Sequence, residues 1–185
     1  MSLRAFQFFF LAAILFSGAS LHGDLSVGTI YSLDFVTING NKLSTSDGHV
    51  TVVVLATPAD RGKASAVGDR VPERVLGNPD YRMVTVVRFV RRRTVFGRNL
   101  VTALLRHRIK EETARLQSRY KGKGIERDAR KDVLVATDFD GSASSQLGEP
   151  AAETRFSVFV FGRNGELVAQ WHDVPSTEQL DAALK

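Results

Sequence analysis

The chain has 185 residues, a formal net charge of +5 and no cysteine. Without cysteine it has no disulfide framework and no thiol nucleophile, so burial of apolar surface must provide its stability. The charge is a modest excess for this length. It permits weak attraction to polyanions but does not by itself indicate a partner.

Residues 1–20 have the pattern of a secretory signal peptide. A positive charge precedes an almost wholly apolar stretch from Ala5 to Phe16, and small residues follow it. That stretch is about a dozen residues, shorter than the roughly 17–25 that a membrane-spanning helix needs. We therefore predict cleavage near Ala19-Ser20 and a secreted or periplasmic protein, with an uncleaved membrane anchor as the alternative. Residues 21–185 are predicted to form one domain.

A β-hairpin and a buried strand are predicted first. Residues Leu33–Ile38 largely alternate between apolar and polar, and Asn39-Gly40 is a strong two-residue turn signal, so Leu43–Thr45 is predicted to return as the second strand. Val50–Ala56 is a nearly continuous β-branched run. This pattern is typical of a strand that is buried on both faces of an α/β sheet.

Helices and strands then alternate. A helix is predicted within Asp60–Leu76, with a break at Pro72. The next predicted elements are a strand at Met83–Val90, a long helix at Asn99–Tyr120 and a third buried strand at Val133–Asp138. The long helix has an apolar face that includes Leu104, Leu105, Ile109 and Tyr120.

The last part of the chain predicts a loop, a hairpin and a helix. The loop is the Gly/Ser-rich segment Gly141–Gly148. Strands Phe156–Phe161 and Leu167–Trp171 are joined by the turn Gly162–Gly165, and a helix runs from Pro175 to Leu184. Because strands separated by helices pair in parallel and the final hairpin is antiparallel, the sheet should be mixed, with helices on both faces.

In this order, the pieces resemble a thioredoxin-fold protein, closest to the secreted thiol:disulfide reductases and alkyl-hydroperoxide-reductase-like proteins. The matching segments are Leu33-Asp34-Phe35, the hairpin Asn39-Gly40-Asn41-Lys42, the strand Gly48–Ala56 with its exit Thr57, and Phe159–Leu167. The resemblance implies a thioredoxin-like three-layer fold: a central mixed β-sheet, helices on both faces and an N-terminal β-hairpin.

The chain departs from that family at the positions of its chemistry. The resemblance would place a Cys-x-x-Cys motif, or one peroxidatic cysteine, near Asp60 and Lys63, and a cis-proline near Arg155 or Phe156. None of these residues is present, and Pro150 comes several residues too early. The chain is therefore identified as a cysteine-less member, and we predict binding rather than catalysis.

The loop that replaces the redox site is the first candidate site. We predict that it binds an envelope protein or peptide in a groove lined by Thr57, Pro58, Ala59, Asp60, Arg61, Lys63 and Arg155. Two alternatives remain open: an anion bound at the helix N-terminus with help from Lys63, or a simple helix cap at Asp60 with solvated cations.

A basic cluster is the second candidate site. Its members are Arg88, Arg91, Arg92, Arg93, Arg98, Arg106 and Arg108, followed by Lys110. Such a cluster suits anionic lipid headgroups, an anionic surface polymer or an acidic partner, and its alternative is a solvated helix face. Nucleic acid is not predicted, because few aromatic residues are interleaved with these charges.

No metal and no cofactor is predicted. The four histidines, His22, His49, His107 and His172, have no metal-site spacing. Asp138 and Asp140 either pair as carboxylates or form a turn. The remaining enzymatic alternative is a redox-related, peroxidase-like relative that works without its own thiol, although no nucleophile with an activating base is evident.

Overall fold

The computed structural model describes residues 24–89, 94–150 and 153–185. The strands are β1 (Asp34–Val36), β2 (Lys42–Ser44), β3 (Val50–Ala56), β4 (Tyr81–Arg88), β5 (Val133–Asp138), β6 (Ser157–Phe161) and β7 (Leu167–Trp171). The helices are α1 (Arg61–Arg70), α2 (Val95–Gly122), α3 (Ser142–Gln146) and α4 (Thr177–Ala183). Strands β1 and β2 form a hairpin, and the other five form one mixed sheet in the order β5-β4-β3-β6-β7. The predicted α/β architecture is confirmed, whereas the predicted signal peptide lies outside the described residues.

Strand β3 is the centre of the sheet and is buried on both faces. It pairs in parallel with β4 and antiparallel with β6, so that Val53 lies opposite both Val84 and Phe159. This position explains its β-branched sequence, since neither face meets water. Strand β5, predicted to be buried as well, lies at the edge of the sheet and is only partly buried.

Alternate residues of the sheet build two apolar cores, one on each face. On one face, Val53 packs with Phe35 of the hairpin and with Leu147, just after α3. On the other face, Val54 packs with Val67 of α1 and with residues of α4. The molecule therefore has three layers, with the sheet in the middle.

Proline and carboxylate side chains set the limits of two helical segments. Pro72 divides the predicted helix as expected, because α1 ends at Arg70 and Glu73–Val75 forms a separate 3-10 turn. The segment predicted as a loop contains α3 instead. This helix forms because Asp138 and Asp140 accept hydrogen bonds from the N–H groups of its first residues.

Helix α4 begins two residues later than predicted. The prediction started the helix at Pro175, but Ser176 acts as the N-cap, and its hydroxyl accepts a hydrogen bond from the Gln179 N–H at 3.2 Å. The Gln179 side chain in turn accepts from the Ser176 N–H at 2.7 Å, which completes a capping box. This reciprocal pair fixes the start of the helix at Thr177.

Helix α2 is longer and more exposed than predicted. It begins at Val95, where the Thr94 hydroxyl accepts a hydrogen bond from the Gly97 N–H, and of its 28 residues only Tyr120 is buried. The prediction that Leu104 lies on a buried face is wrong, because this residue is 57% exposed. In the described part of the chain, no helix is long and apolar enough to cross a membrane.

Arg82 on β4 ties the end of the hairpin to the sheet. Its guanidinium donates to both carboxylate oxygens of Asp47, each at 2.8 Å, and to the Ser44 carbonyl. Burial raises the pKa of Asp47, but hydrogen bonds from Arg82, His49 and the Ser44 N–H outweigh it and lower that pKa to about 2. The ion pair therefore stabilises the docked hairpin whenever Asp47 is ionised.

The Asp47→Asn variant should lower the free energy of unfolding by about 1–2 kcal/mol at neutral pH. The folded-state pKa of Asp47 lies below its ordinary value of 3.8, so this stabilisation is present above that value and is lost as the pH falls towards 2. Urea unfolding at neutral pH and at about pH 2.5 checks this, because the difference between the two proteins should be much smaller at the lower pH. Asp34→Asn, at an exposed position of the same hairpin, is the control and should behave like wild type at both values. A difference for Asp47→Asn that does not depend on pH would contradict the assignment.

Candidate functional site

The carboxyl ends of β3, β4 and β5 lie at one edge of the sheet, because these strands are parallel. The segment before β6 joins them, since β6 runs antiparallel to β3 and Ser157 pairs with Leu55. In open α/β sheets, ligands bind outside this carboxyl edge. The predicted loop Thr57–Lys63 and Arg155 both lie here, so the structure brings the two parts of the first candidate site to the same edge.

A local turn holds the start of this loop. Residues Pro58–Asp60 form a 3-10 turn, in which the Asp60 carboxylate accepts hydrogen bonds from the N–H of Thr57 at 2.9 Å and from its hydroxyl at 2.6 Å. The alternative prediction that the Asp60 side chain caps the following helix is wrong. The carboxylate turns back to Thr57 and accepts no hydrogen bond from the first N–H groups of α1.

Lys63 already has partners at the carboxyl edge. Its ammonium lies 3.1 Å from Asp173 and 5.6 Å from the centre of the Phe156 ring. The pKa of Asp173 is lowered, first by the hydrogen bond from the Val174 N–H and then by Lys63. This geometry gives no support to the predicted anion site at the N-terminus of α1.

Arg88 is buried at the end of β4, with 2% of its surface exposed. One amino group donates to the Arg155 carbonyl, while Nε and Nη1 have no hydrogen-bond partner among the described residues. Burial lowers the pKa of Arg88, and the nearby carboxylates of Glu149 and Glu153 oppose this effect. Arg88 therefore fixes the segment before β6 from inside the protein. The Arg155 side chain pairs with Glu153 at 2.8 Å.

The predicted basic cluster does not form a single surface. Alternation along β4 places Arg88 on the same face as the buried Val84 and Val86, so its assignment to an exposed cluster is corrected. Arg98 is partly buried, with its guanidinium 5.4 Å from the centre of the Phe139 ring. The exposed members are Arg106 and Arg108, and Arg91, Arg92 and Arg93 lie outside the described residues.

Asp138 and Asp140 both support the turn into α3. The Asp138 carboxylate accepts hydrogen bonds from the N–H groups of Ala143 and Ser144 at 3.2 and 2.9 Å. Asp140 accepts from the hydroxyl and the N–H of Ser142, and these hydrogen bonds lower its pKa. Of the two predictions for this pair, the turn-forming one is confirmed.

A buried polar group that the sequence did not reveal lies at the start of β6. The Ser157 hydroxyl donates to the Glu149 carboxylate at 2.7 Å, and His172 Nδ1 lies 3.3 Å from the same hydroxyl. Ser157 is fully buried, so this serine cannot meet a substrate. The one available signal was a polar residue at the start of the apolar run Ser157–Phe161. Glu149 and His172 lie 8 and 15 positions from Ser157 in the sequence, and these spacings form no recognisable motif.

The described histidines each lie beside a carboxylate rather than in a metal site. The pairs are His49 with Asp47 at 2.9 Å, His107 with Glu111 at 3.6 Å, and His172 with Glu149 at 3.6 Å. Among the residues that the structure describes, no group of three or more histidines and carboxylates is arranged to hold a metal ion. His22 lies outside those residues.

An open apolar cavity of about 320 Å³ lies between the sheet and the helices α1 and α2. We call it the α1–α2 cavity. Its floor is the sheet, represented by Val52, Thr85 and Val135, and Leu105 and Ile109 of α2 form the opposite wall. Thr57, Pro58 and Arg61 of the candidate loop also line it. Ala59, Asp60, Lys63 and Arg155 do not.

Small residues explain why this space is not filled. The wall contributed by α1 consists largely of Ala64, Ser65 and Gly68, none of which reaches far from the helix. The side chains of α2 do not enter deeply either, since only Tyr120 at its far end is buried. The cavity therefore remains between the sheet, the small residues of α1 and the partly buried apolar side chains of α2.

Polar contacts, rather than apolar packing, hold α2 beside α1. Arg61 lies 3.1 Å from Glu111 and 3.3 Å from Glu112, and Arg115 forms an ion pair with Asp69. Near the end of α1, Arg119 donates to the carbonyls of Gly68 and Val71 at 3.0 and 3.2 Å, which satisfies terminal acceptors of that helix. These contacts form a charged rim around an apolar interior.

The Gly68→Ala variant should raise the free energy of unfolding by about 0.5–1 kcal/mol, because glycine is costly within a helix. The added Cβ would lie 3.6 Å from the Met83 methyl group, an ordinary contact at the wall of the cavity. In a chain of this size, thermal unfolding should shift upward by roughly 2–4 °C per kcal/mol.

Gly165→Ala is the opposing control. Gly165 has φ +86°, and a Cβ there would lie 2.3 Å from the Tyr31 carbonyl oxygen, so this variant should lose about 2 kcal/mol or more. A destabilised Gly68→Ala protein would show that no free space adjoins α1.

No protein-family model matches the chain, and no curated protein matches its sequence. Solved structures do share its fold. They include a putative thiol:disulfide interchange protein DsbE from Chlorobium tepidum, with 13% identity, a TM-score of 0.52, and coverage of 88% of this chain and 100% of that one. A putative thioredoxin from Neisseria meningitidis has 14% identity, a TM-score of 0.51, and coverage of 86% and 91%. A DsbF homologue from Corynebacterium diphtheriae has 10% identity, a TM-score of 0.50, and coverage of 84% and 83%. The chain therefore has the thioredoxin-like fold, and it carries that fold without a cysteine.

Proposed function

We propose that this protein is a secreted or periplasmic binding module without redox activity, which holds an apolar segment of a peptide or protein in the α1–α2 cavity. The observation that carries the proposal is the open apolar cavity entered beside Thr57, Pro58 and Arg61. Its volume of about 320 Å³ falls within the range of 300–1,000 Å³ that is usual for ligand sites. Secretion rests on the signal-peptide pattern of residues 1–20.

Binding accounts for the carboxyl edge better than catalysis does. The chain has no cysteine, so it has no thiolate to attack a disulfide or a peroxide. Ser157, which contacts both a carboxylate and a histidine, is buried away from solvent. The redox-related alternative therefore gains no support from these residues.

The cavity offers one or two apolar side chains a favourable environment. Burial of a leucine or phenylalanine side chain is worth about 1.5–3 kcal/mol. The walls are aliphatic, with Val52, Val135, Leu105 and Ile109 among them. A peptide that inserts two such side chains would gain enough to offset part of the entropy lost on binding.

Charge at the mouth indicates what should flank the apolar segment. Arg61 is already paired with Glu111 and Glu112. Arg108 also lines the cavity, is exposed, and forms no ion pair with any described residue. An acidic residue next to the apolar side chain of a ligand would therefore find a free cation. We infer a preference for peptides that combine apolar and acidic residues.

Phage display of random heptapeptides on the wild-type protein provides the probe, and fluorescence anisotropy with the synthesised peptide gives its Kd. Thr85→Phe, which places a large ring on the cavity floor, should weaken binding at least about tenfold. Arg108→Gln should weaken it about three- to fivefold for peptides with an acidic residue.

Thr177→Phe makes the same exchange at an exposed position of α4 and should bind like wild type. Circular dichroism establishes that each variant remains folded. The proposal is wrong if no peptide is enriched, or if the enriched peptides bind Thr85→Phe and Arg108→Gln as tightly as wild type.

A further inference from the structure

We propose that the first half of α2, residues 95–110, docks on an anionic lipid bilayer and inserts an apolar line of side chains into it. The inserted residues are Phe96, Leu100 and Leu104, which we call the α2 stripe. This surface shares Arg108 with the site of the proposed function, but its apolar residues are different. Leu105 and Ile109 face the α1–α2 cavity, whereas the α2 stripe faces outward.

Large apolar side chains in the α2 stripe are unusually exposed. Phe96 is 80% exposed and Leu100 is 55% exposed. Together with Leu104 they are spaced by four residues, so they lie nearly in line along the helix. Among the described elements, none covers this line. A contiguous exposed apolar surface of this kind marks a site of interaction with another apolar phase.

Cations flank the α2 stripe on both sides. Successive helical residues turn by about 100°, which places Arg106 and Lys110 on one side of the line and Arg108 on the other. All three are exposed, and none forms an ion pair with a described residue. Residues 95–110 contain four lysines and arginines and no aspartate or glutamate. An apolar line between rows of cations is the pattern of a helix that lies in the interface of an anionic membrane.

A lipid surface fits this pattern better than a second copy of the chain. Pairing two copies through the α2 stripe would bring their cations together, and the repulsion would oppose association. Lipid headgroups supply many anions in one plane, and long basic side chains can reach them while the apolar residues enter the acyl region. An acidic protein is the alternative occupant, and the experiment below distinguishes it from a lipid bilayer.

Because the chain has no cysteine, a single introduced cysteine can carry a fluorophore that measures insertion at a chosen position. Leu100→Cys, labelled with the environment-sensitive fluorophore NBD, reports on the α2 stripe alone, whatever the N-terminal segment does. With vesicles of equal parts phosphatidylglycerol and phosphatidylcholine, its emission should rise about threefold and shift to shorter wavelength. The matched control is Val36→Cys, in the hairpin, where Val36 is 57% exposed; its emission should not change. Raising the salt from about 50 to about 500 mM should reverse most of the effect.

Two further variants separate the contributions of charge and apolar surface to vesicle partitioning, and circular dichroism confirms their folding. Arg106→Gln with Lys110→Gln should weaken partitioning about 25-fold, since each basic residue contributes roughly fivefold. Phe96→Ser with Leu100→Ser should weaken it at least about tenfold.

An unchanged NBD spectrum at position 100 would overturn the proposal, as would equal partitioning on vesicles of phosphatidylcholine alone. Light scattering that shows dimers in wild type and monomers in the Phe96→Ser, Leu100→Ser variant would assign the α2 stripe to a second copy instead. NBD at position 100 that responds to soluble polyglutamate but not to vesicles would assign it to an acidic protein.

Discussion

The attachment of α2 is the constraint on which the rest of the structure depends. The polar contacts that fasten this helix to α1 fall in its second half, from Glu111 to Arg119, while Tyr120 anchors its end through a hydrogen bond to Asp132 at 2.9 Å. Burial and this hydrogen bond raise the pKa of Tyr120, so its hydroxyl remains a donor. Long charged side chains connect α1 and α2 across a distance that direct apolar packing would shorten. Helix α2 therefore lies above the sheet and leaves the α1–α2 cavity beneath it.

The sequence predicted the sheet well because the sheet is built from local patterns. The run Val50–Ala56 has the pattern of a doubly buried strand, and the structure confirms it. The predicted two-residue turn at Asn39-Gly40 is wrong, because Val36 pairs with Lys42 and the five residues 37–41 connect the two strands. The long helix was predicted less well, since periodicity identifies an apolar face but not what covers it. Leu104 and Leu105 both belong to the predicted apolar face, but only Leu105 lines the α1–α2 cavity. Burial of a helix face depends on how far away the neighbouring elements lie, which no spacing in the sequence encodes.

The candidate site was only partly predictable for a related reason. The resemblance located the carboxyl edge correctly, but the side chains there interact through residues distant in the chain, such as Lys63 with Asp173 and Arg88 with the Arg155 carbonyl. Arg88 looked like one of several surface arginines, and only its strand register shows that it points into the core. A buried arginine with two nitrogens that have no partner among the described residues is costly, and it fixes the segment before β6 from within. The edge has thus kept its geometry while its polar groups hold one another.

One helix carries both the wall of the α1–α2 cavity and the α2 stripe, so the two surfaces are physically linked. Leu105 and Ile109 move with α2, and so do Phe96 and Leu100, because all four belong to one continuous helix. The first half of α2 is held by partly buried side chains and by Arg98 over Phe139. Any contact that shifts this half therefore changes the width of the cavity as well. If both proposed sites are occupied, a ligand in the cavity and a bilayer at the α2 stripe would each change the affinity of the other site by the same factor.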